Sequence, residues 1–261
     1  MQIPVLVISL ARAAERRAAI ARRLAALGVT FSFVDAVDGR AMSRDDIDRL
    51  APRYFARVNR HTWFPGELGN QASFQKALGI VASGDSEMVC VLEDDAEPTP
   101  HFPRFLALGA LEALPPFDIL RLEGSWTGRH LPLGRLDAIA VVAPYRLGPL
   151  ACAQVFTRRA ARDVLRRMIP SRGTIDCTVY MDRRFINLRI LDVNPTVVVH
   201  PGTTSFIEEA DPRVRPIGTL SDSIRQKLFR AGCDIRTWLG FTRQYGWSAR
   251  RNLIHRSPDR P

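Results

Sequence analysis

The sequence has few of the residues that mark several readily recognised protein classes. Its 261 residues include four cysteines, Cys90, Cys152, Cys177 and Cys233, set far apart. No two have the close spacing of a metal-binding pair. Cys90 lies inside an apolar run, so reduced core thiols in a cytoplasmic chain are expected, not a disulfide framework. No uninterrupted apolar stretch reaches the ~20 residues needed to span a bilayer. The opening Met1-Gln2-Ile3-Pro4-Val5-Leu6-Val7 carries no basic leader, so no secretory signal is expected. The Gly-rich dinucleotide fingerprint and the phosphate loop are both missing, which leaves side chains or a metal to meet any nucleotide phosphates. No recognised nucleic-acid-binding module is present.

Acids are the scarcer charge. Against 37 Lys and Arg there are 27 Asp and Glu, a formal net charge of +10. That balance favours anionic partners: nucleic acid, acidic lipid or phosphorylated small molecules. Hydrophobic content of 46% is ample for a sizeable core, and the length suits one large α/β domain, with or without an appendage.

One stretch organises the rest. The run Met88–Leu92 has the length and β-branched content of a buried strand, and it ends in Glu93-Asp94-Asp95. In α/β sheets the carboxyl ends of strands are where ligands sit. Residues two apart in an extended chain share a face, so Glu93 and Asp95 are expected to point one way and Asp94 the other. Such an arrangement can hold Mg²⁺ or Mn²⁺, which take oxygen ligands, on one side and a sugar hydroxyl on the other. A solvated acidic loop after a strand is the plainer alternative.

The elements around it read as strand 4–8, helix 13–27 stopped by Gly28, and strand 29–34 leading into Asp35-Ala36-Val37-Asp38-Gly39-Arg40. This strand-helix-strand opening is typical of a parallel, nucleotide-binding sheet. Ser43 caps a short acidic helix. Gly66-Glu67-Leu68-Gly69 begins a helix through Ser83, and its backbone N–H groups could meet an anion. A helix is expected over 100–114, a strand over 117–122, a polar Gly-rich mobile loop over 125–135, and strands over 138–142 and 152–156. Thr157 caps a basic helix to Met168, and strands follow at 188–193 and 196–199.

Four stretches in this order resemble glycosyltransferase family 25, the bacterial lipooligosaccharide glycosyltransferases related to the collagen hydroxylysine galactosyltransferase domain. Val7-Ile8-Ser9-Leu10-Ala11-Arg12-Ala13-Ala14-Glu15-Arg16-Arg17 is similar to the family's V-I-N-L-D-R-S-x-E-R-R. Val34–Arg40 is similar to its A-V-D-G-R, Gly66–Phe74 to its G-E-[IL]-G-C-x-x-S-H, and Val91–Asp95 to its [IV]-L-E-D-D. Ser9, Ala11, Asn70 and Phe74 stand where the family has Asn, Asp, Cys and His. A looser likeness places Asp176, in Thr174–Met181, at the family's P-[VI]-D-x-[FW]-[LM].

The resemblance implies a GT-A-like α/β fold with a mostly parallel central sheet over residues 1–207. It further implies a metal-dependent, inverting transfer of a hexose, such as galactose from UDP-galactose, to a cell-surface glycan or lipid-linked acceptor. Asp95, with Asp94 and His200, would hold Mn²⁺ or Mg²⁺, while Glu93, a catalytic residue in this scheme, and Asp94 would meet donor hydroxyls or the second metal position. Ser9, Leu10, Arg12, Arg16 and Asp38 would flank the nucleotide, while Glu67 and Ser73 would shape the donor pocket. Asp176 would serve as the base for the acceptor, against the simpler reading of a helix cap. A hydrogen-bonded structural role is the alternative for His200. A lapsed enzyme that still binds nucleotide sugars is the second reading of the whole chain.

Residues 208–261 change character: a polar, Pro-rich linker gives way to a helical tail with interleaved arginines and aromatics. That tail suits an anionic membrane surface at the inner face of the cytoplasmic membrane, or a docked helix with a solvated basic face. Nucleic acid is set aside as a partner.

Overall fold

The computed structural model describes residues 1–50, 65–123, 128–145, 147, 151–169, 175–181, 187–200 and 238–255. The basic segment 51–64, Asp182, Cys233, the linker and the helical periodicity at Ile224, Leu228 and Ile235 lie outside the described residues.

The strand expected over 4–8 forms within one residue, whereas the strand expected over 29–34 starts only at Ser32. β1 (Val5–Ser9) leads into α1 (Ala14–Ala26) and β2 (Ser32–Asp35). α2 (Arg44–Leu50) follows, with Ser43 Oγ accepting from Asp46 N at 3.2 Å as its cap. α3 (Pro65–Ser83) precedes β3 (Met88–Glu93) and the short β4 (Glu97–Pro98). Then come α4 (Leu108–Glu112), β5 (Ile119–Arg121), β6 (Arg129–Leu136), β7 (Ile139–Pro144) and β8 (Ala153–Thr157). α5 (Arg158–Arg167) is capped by Thr157 Oγ, which accepts from Ala160 N at 3.1 Å. β9 (Ile190–Asn194), β10 (Val198–Val199) and β11 (Ile254–His255) complete the described set.

Among the described residues, nine strands form one sheet in the order β11-β6-β7-β9-β5-β8-β3-β1-β2, while β10 pairs with β4. β2, β1, β3, β5, β9 and β6 run in one direction, so the mostly parallel sheet holds for strand direction. Three of the pairings are themselves parallel, because β8 inserts antiparallel between β3 and β5.

Both faces of the sheet are covered, and the alternation along each strand decides which core a side chain joins. Val5, Val7, Cys90 and Leu92 pack with Ile20 and Leu24 of α1 on one side. Leu6, Ile8, Val89 and Val91 pack with Phe74 and Leu78 of α3 and Val164 of α5 on the other. Each such fully buried aliphatic side chain contributes about 1.5–3 kcal/mol relative to exposure. Cys90 and Cys152 are free and buried, as expected of core thiols.

Two expectations fail for local reasons. The helix expected over 100–114 is broken into a 3-10 segment, Phe102–Leu106, and α4, with Ala107 extended at φ −71, ψ 115. The N-terminus takes the backbone groups at the break: Ile3 N donates to Leu106 O at 2.8 Å and Leu108 N to Met1 O at 3.0 Å. The loop expected over 125–135 contains most of β6 instead. Its Pro132 and Gly134 flank a register shift against β7, where a missing N–H costs no ladder bond.

The C-terminal segment closes the far edge. A helix over 238–245 leads through Gly246, at φ +79, to a 3-10 turn at Ser248–Asn252 and to β11, whose Ile254 pairs with His130 of β6. Among the described residues, no helix is long and apolar enough to cross a membrane.

Candidate active site

Parallel pairing sets the register that builds the site. Ile8 of β1 lies opposite Glu93 of β3, so Ser9 comes beside Asp94 at the carboxyl ends of the two strands. Ser9 Oγ donates to Asp94 Oδ2 at 2.7 Å. From the first turn of α1, Arg16 Nη1 reaches Asp94 Oδ1 at 3.4 Å and Asp95 Oδ2 at 3.9 Å. On the other side Asn70 of α3 donates from Nδ2 to Glu93 Oε1 at 2.8 Å.

β3 stops at Glu93, and a turn carries Asp94 and Asp95. The strict alternation expected of an extended chain therefore ends one residue early, and all three carboxylates line a single cavity. Ser9, Leu10, Arg12, Arg16, Asp38, Ser73 and His200 line the same cavity. His200 Nε2 lies 3.7 Å from Asp95 Oδ2. The acidic triplet is thus a cavity wall, not a solvated loop.

Two expected site residues lie elsewhere. Glu67 is buried on α3, outside the cavity lining, while Gly66, Asn70 and Ser73 of the same helix face it. Asp176 is half-buried at the start of the turn before Cys177–Met181 and is also outside the lining. It is close enough for its charge to act on both Glu93 and Tyr180.

The opposite wall depends on two glycines. A Cβ on Gly39 would lie 1.6 Å from Pro65 O, and one on Gly69 would lie 2.6 Å from Val37 O. The Asp38-Gly39 turn and the start of α3 therefore touch backbone to backbone, which is the physical reason for glycine in both motifs. Ser73 Oγ pins the same loop by accepting from Val37 N at 2.8 Å. Gly39→Ala is expected to force the two apart and to cost about 1–3 kcal/mol. A lower urea midpoint together with weaker nucleotide binding would check this, since Gly39 also lines the cavity.

The carboxylates of the triplet repel one another in partial burial. Burial, then the neighbouring Asp95, pushes the Glu93 carboxyl well above its usual range. Burial likewise raises Asp94, against the Ser9 hydroxyl and the Arg16 guanidinium. Asp38 is lowered, first by the backbone N–H of Arg40 and then by Arg12, whose Nε donates at 3.0 Å. The buried Oδ1 of Asp95 has no hydrogen-bond partner. Ligand atoms of Glu93, Asp95 and Cys152 lie within 4.8 Å of one another. The two carboxylates of that group and the unsatisfied Asp95 oxygen fit Mn²⁺ or Mg²⁺, whereas its third member is a soft thiol and Asp94 and His200 stand outside it.

A second polar cluster escaped sequence reasoning. Arg121 is fully buried, with Nε 3.4 Å from both Glu123 Oε1 and Asp192 Oδ1 and its guanidinium 4.6 Å over the Tyr180 ring. Glu123 also accepts from Ala153 N at 2.6 Å. Burial pushes the Glu123 carboxyl up to about 7, with Arg121 opposing. The signal in the sequence was an arginine and an aspartate inside the apolar runs Ile119-Leu120-Arg121-Leu122 and Ile190-Leu191-Asp192-Val193. Opposite charges in two such strands ask for a partner.

Comparison with known proteins adds a family and a loose structural likeness. Residues 2–132, half of the chain, match the family described as "Glycosyltransferase family 25 (LPS biosynthesis protein)". No curated protein matches. Among solved structures, one similar chain is a glycosyltransferase involved in the glycosylation of the major capsid of PBCV-1. It is 11% identical with a TM-score of 0.41, over 88% of this chain and 100% of that one. Another is S. aureus TarS 1-349, 13% identical with a TM-score of 0.37, over 76% of this chain and 60% of that one.

Proposed function

Because the chain belongs to glycosyltransferase family 25, we propose that it moves a neutral hexose, such as galactose from UDP-galactose, onto a glycan or lipid-linked acceptor with inversion. The observation that carries this reading is the cavity at the ends of β1 and β3. Glu93, Asp94 and Asp95 converge there with Asp38, three arginines (Arg12, Arg16 and Arg40) and His200, and one Asp95 oxygen is unsatisfied.

In this reading Asp95 and Asp94, with His200, hold Mn²⁺ or Mg²⁺. When bound, that ion supplies Lewis-acid stabilisation of the leaving diphosphate. Arg16 adds a fixed positive charge on the same wall, and Arg12 flanks the nucleotide from its more exposed position. Ser9, Leu10 and Asp38 line the nucleotide side, and Ser73 holds the loop that carries Asp38. Glu93 is held by Asn70 through Oε1, and its second oxygen would meet a donor hydroxyl.

Inversion requires a base on the face of the sugar opposite the diphosphate. Asp176 takes the proton of the acceptor hydroxyl in this scheme. The acceptor oxygen forms its bond to the anomeric carbon as the bond to the diphosphate oxygen breaks, and the electron pair leaves with the diphosphate. Support for Asp176 is its carboxyl lying outside the donor cavity yet near enough to influence Glu93.

Asp176→Asn is expected to lower kcat by about 10²–10⁴ while leaving donor affinity unchanged. Nucleotide binding with Mn²⁺, measured by calorimetry alongside initial rates, checks both halves. An unchanged kcat would assign the base to another group. The donor itself would be identified by a thermal-shift panel of nucleotide sugars with and without Mn²⁺, since a ligand bound only to the folded state raises Tm. Peripheral attachment to the inner face of the cytoplasmic membrane completes the reading.

A further inference from the structure

We propose that residues 238–255 are a docking surface for an anionic lipid bilayer, with Trp247 as the inserting side chain and nearby arginines meeting the headgroups. This extends the proposed function to its partner surface, and its test reads lipid binding, so it can fail while the sugar-transfer reading stands.

The segment is anchored from within. Phe241 and Ala249 are buried, Gln244 Nε2 donates to Leu188 O at 3.0 Å, and β11 pairs with β6. What it turns outward is unusual for an anchored segment. Trp247 is 61% exposed, Ile254 53% and Leu239 48%. Leu239 and the exposed Arg243 are four residues apart in the 238–245 helix and share one face.

The exposed indole is held, not loose. Trp247 meets Trp238 edge-on at 5.6 Å. The Arg250 guanidinium lies 5.5 Å from the Trp247 ring and 5.6 Å from that of Trp238. Arg250 also donates to Tyr145 Oη at 3.3 Å. A rigidly presented aromatic loses little conformational entropy when it is buried. Over 238–255 the sequence has Arg243, Arg250 and Arg251 and no acidic residue.

Charge complementarity selects the occupant. Arg250 against an exposed tryptophan and Arg243 on the helix face of an exposed leucine match the boundary between anionic headgroups and acyl chains. A polyanion without apolar tails would use the arginines and leave Leu239 and Ile254 in water.

The test uses the full chain with vesicles of phosphatidylcholine alone and of phosphatidylcholine mixed with phosphatidylglycerol. Sedimentation with the anionic vesicles only, weakened by salt, is expected. Trp247→Ala should lower the partition about tenfold or more, and Arg243→Gln about fivefold. Trp247→Phe keeps an apolar ring and guards against misfolding: it should still bind but lose most of the lipid-induced blue shift in tryptophan emission. Equal binding to neutral and anionic vesicles, an unchanged partition in Trp247→Ala, or a full blue shift in Trp247→Phe would overturn the proposal. Retention on heparin without any vesicle binding would do the same.

Discussion

In the proposed reaction, replacing Asp95 by asparagine is expected to remove the Mn²⁺ response of sugar transfer and leave the fold intact. The change is nearly isosteric, so packing at the turn after β3 is preserved. It deletes the negative charge at the one carboxylate whose Oδ1 is buried without a hydrogen bond and whose Oδ2 faces both Arg16 and His200. Metal stabilisation of a leaving diphosphate amounts to several kcal/mol. At about 1.36 kcal/mol per tenfold in rate, its loss lowers kcat by roughly a thousandfold. Stability should move the other way or not at all, because Asp95 raises the carboxyls of Glu93 and Asp94 by repulsion. Without metal, then, the variant should melt at or above the parent temperature, and the Mn²⁺-induced rise in Tm should vanish. Full activity with an unchanged Mn²⁺ response would remove Asp95 from the metal shell.

The largest expected effect on stability comes from Arg121→Met. Methionine fills much of the space but leaves Glu123 and Asp192 without the cation that lies 3.4 Å from each. Breaking a buried ion pair from one side typically costs about 3–5 kcal/mol. A urea titration at neutral pH measures it directly. The loss should be smaller near pH 5. Glu123's folded pKa, at about 7, lies above its unfolded value, so its ionisation opposes folding. That penalty is absent below the unfolded pKa and grows as pH rises through the folded one. At the lower pH Glu123 holds its proton, and one fewer charge is stranded. A variant replacing all three groups with apolar residues of similar volume should recover much of the loss. If Arg121→Met alone is neutral at every pH, the cluster is not ionised as described.

Much of the nucleotide side of this fold is legible in the sequence because its signals are local. β1, α1 and β3 are written in runs whose period matches the element, and Gly28 and Ser43 mark helix boundaries by backbone and cap chemistry. The acidic triplet is legible as a site because three carboxylates after a buried strand are costly without a cation. Tertiary context hid the rest. β6 has Pro132 and Gly134 and a half-polar pattern, so only its pairing with β7 makes it a strand. The break at Ala107 depends on hydrogen bonds from residues over a hundred positions earlier. Asn70 reads as a substitution in a helix, and only its bond to Glu93 gives it a role at the cavity.

The outer rim of the sheet carries its own safeguard. Among the described residues, β11 covers Arg129 and His130 of β6, whose remaining sequence includes Pro132 and Arg135. A proline cannot donate to an incoming strand, and a charged residue resists being stacked against a second copy. The same residues that disguise β6 as a loop thus disfavour strand-to-strand pairing with a second copy.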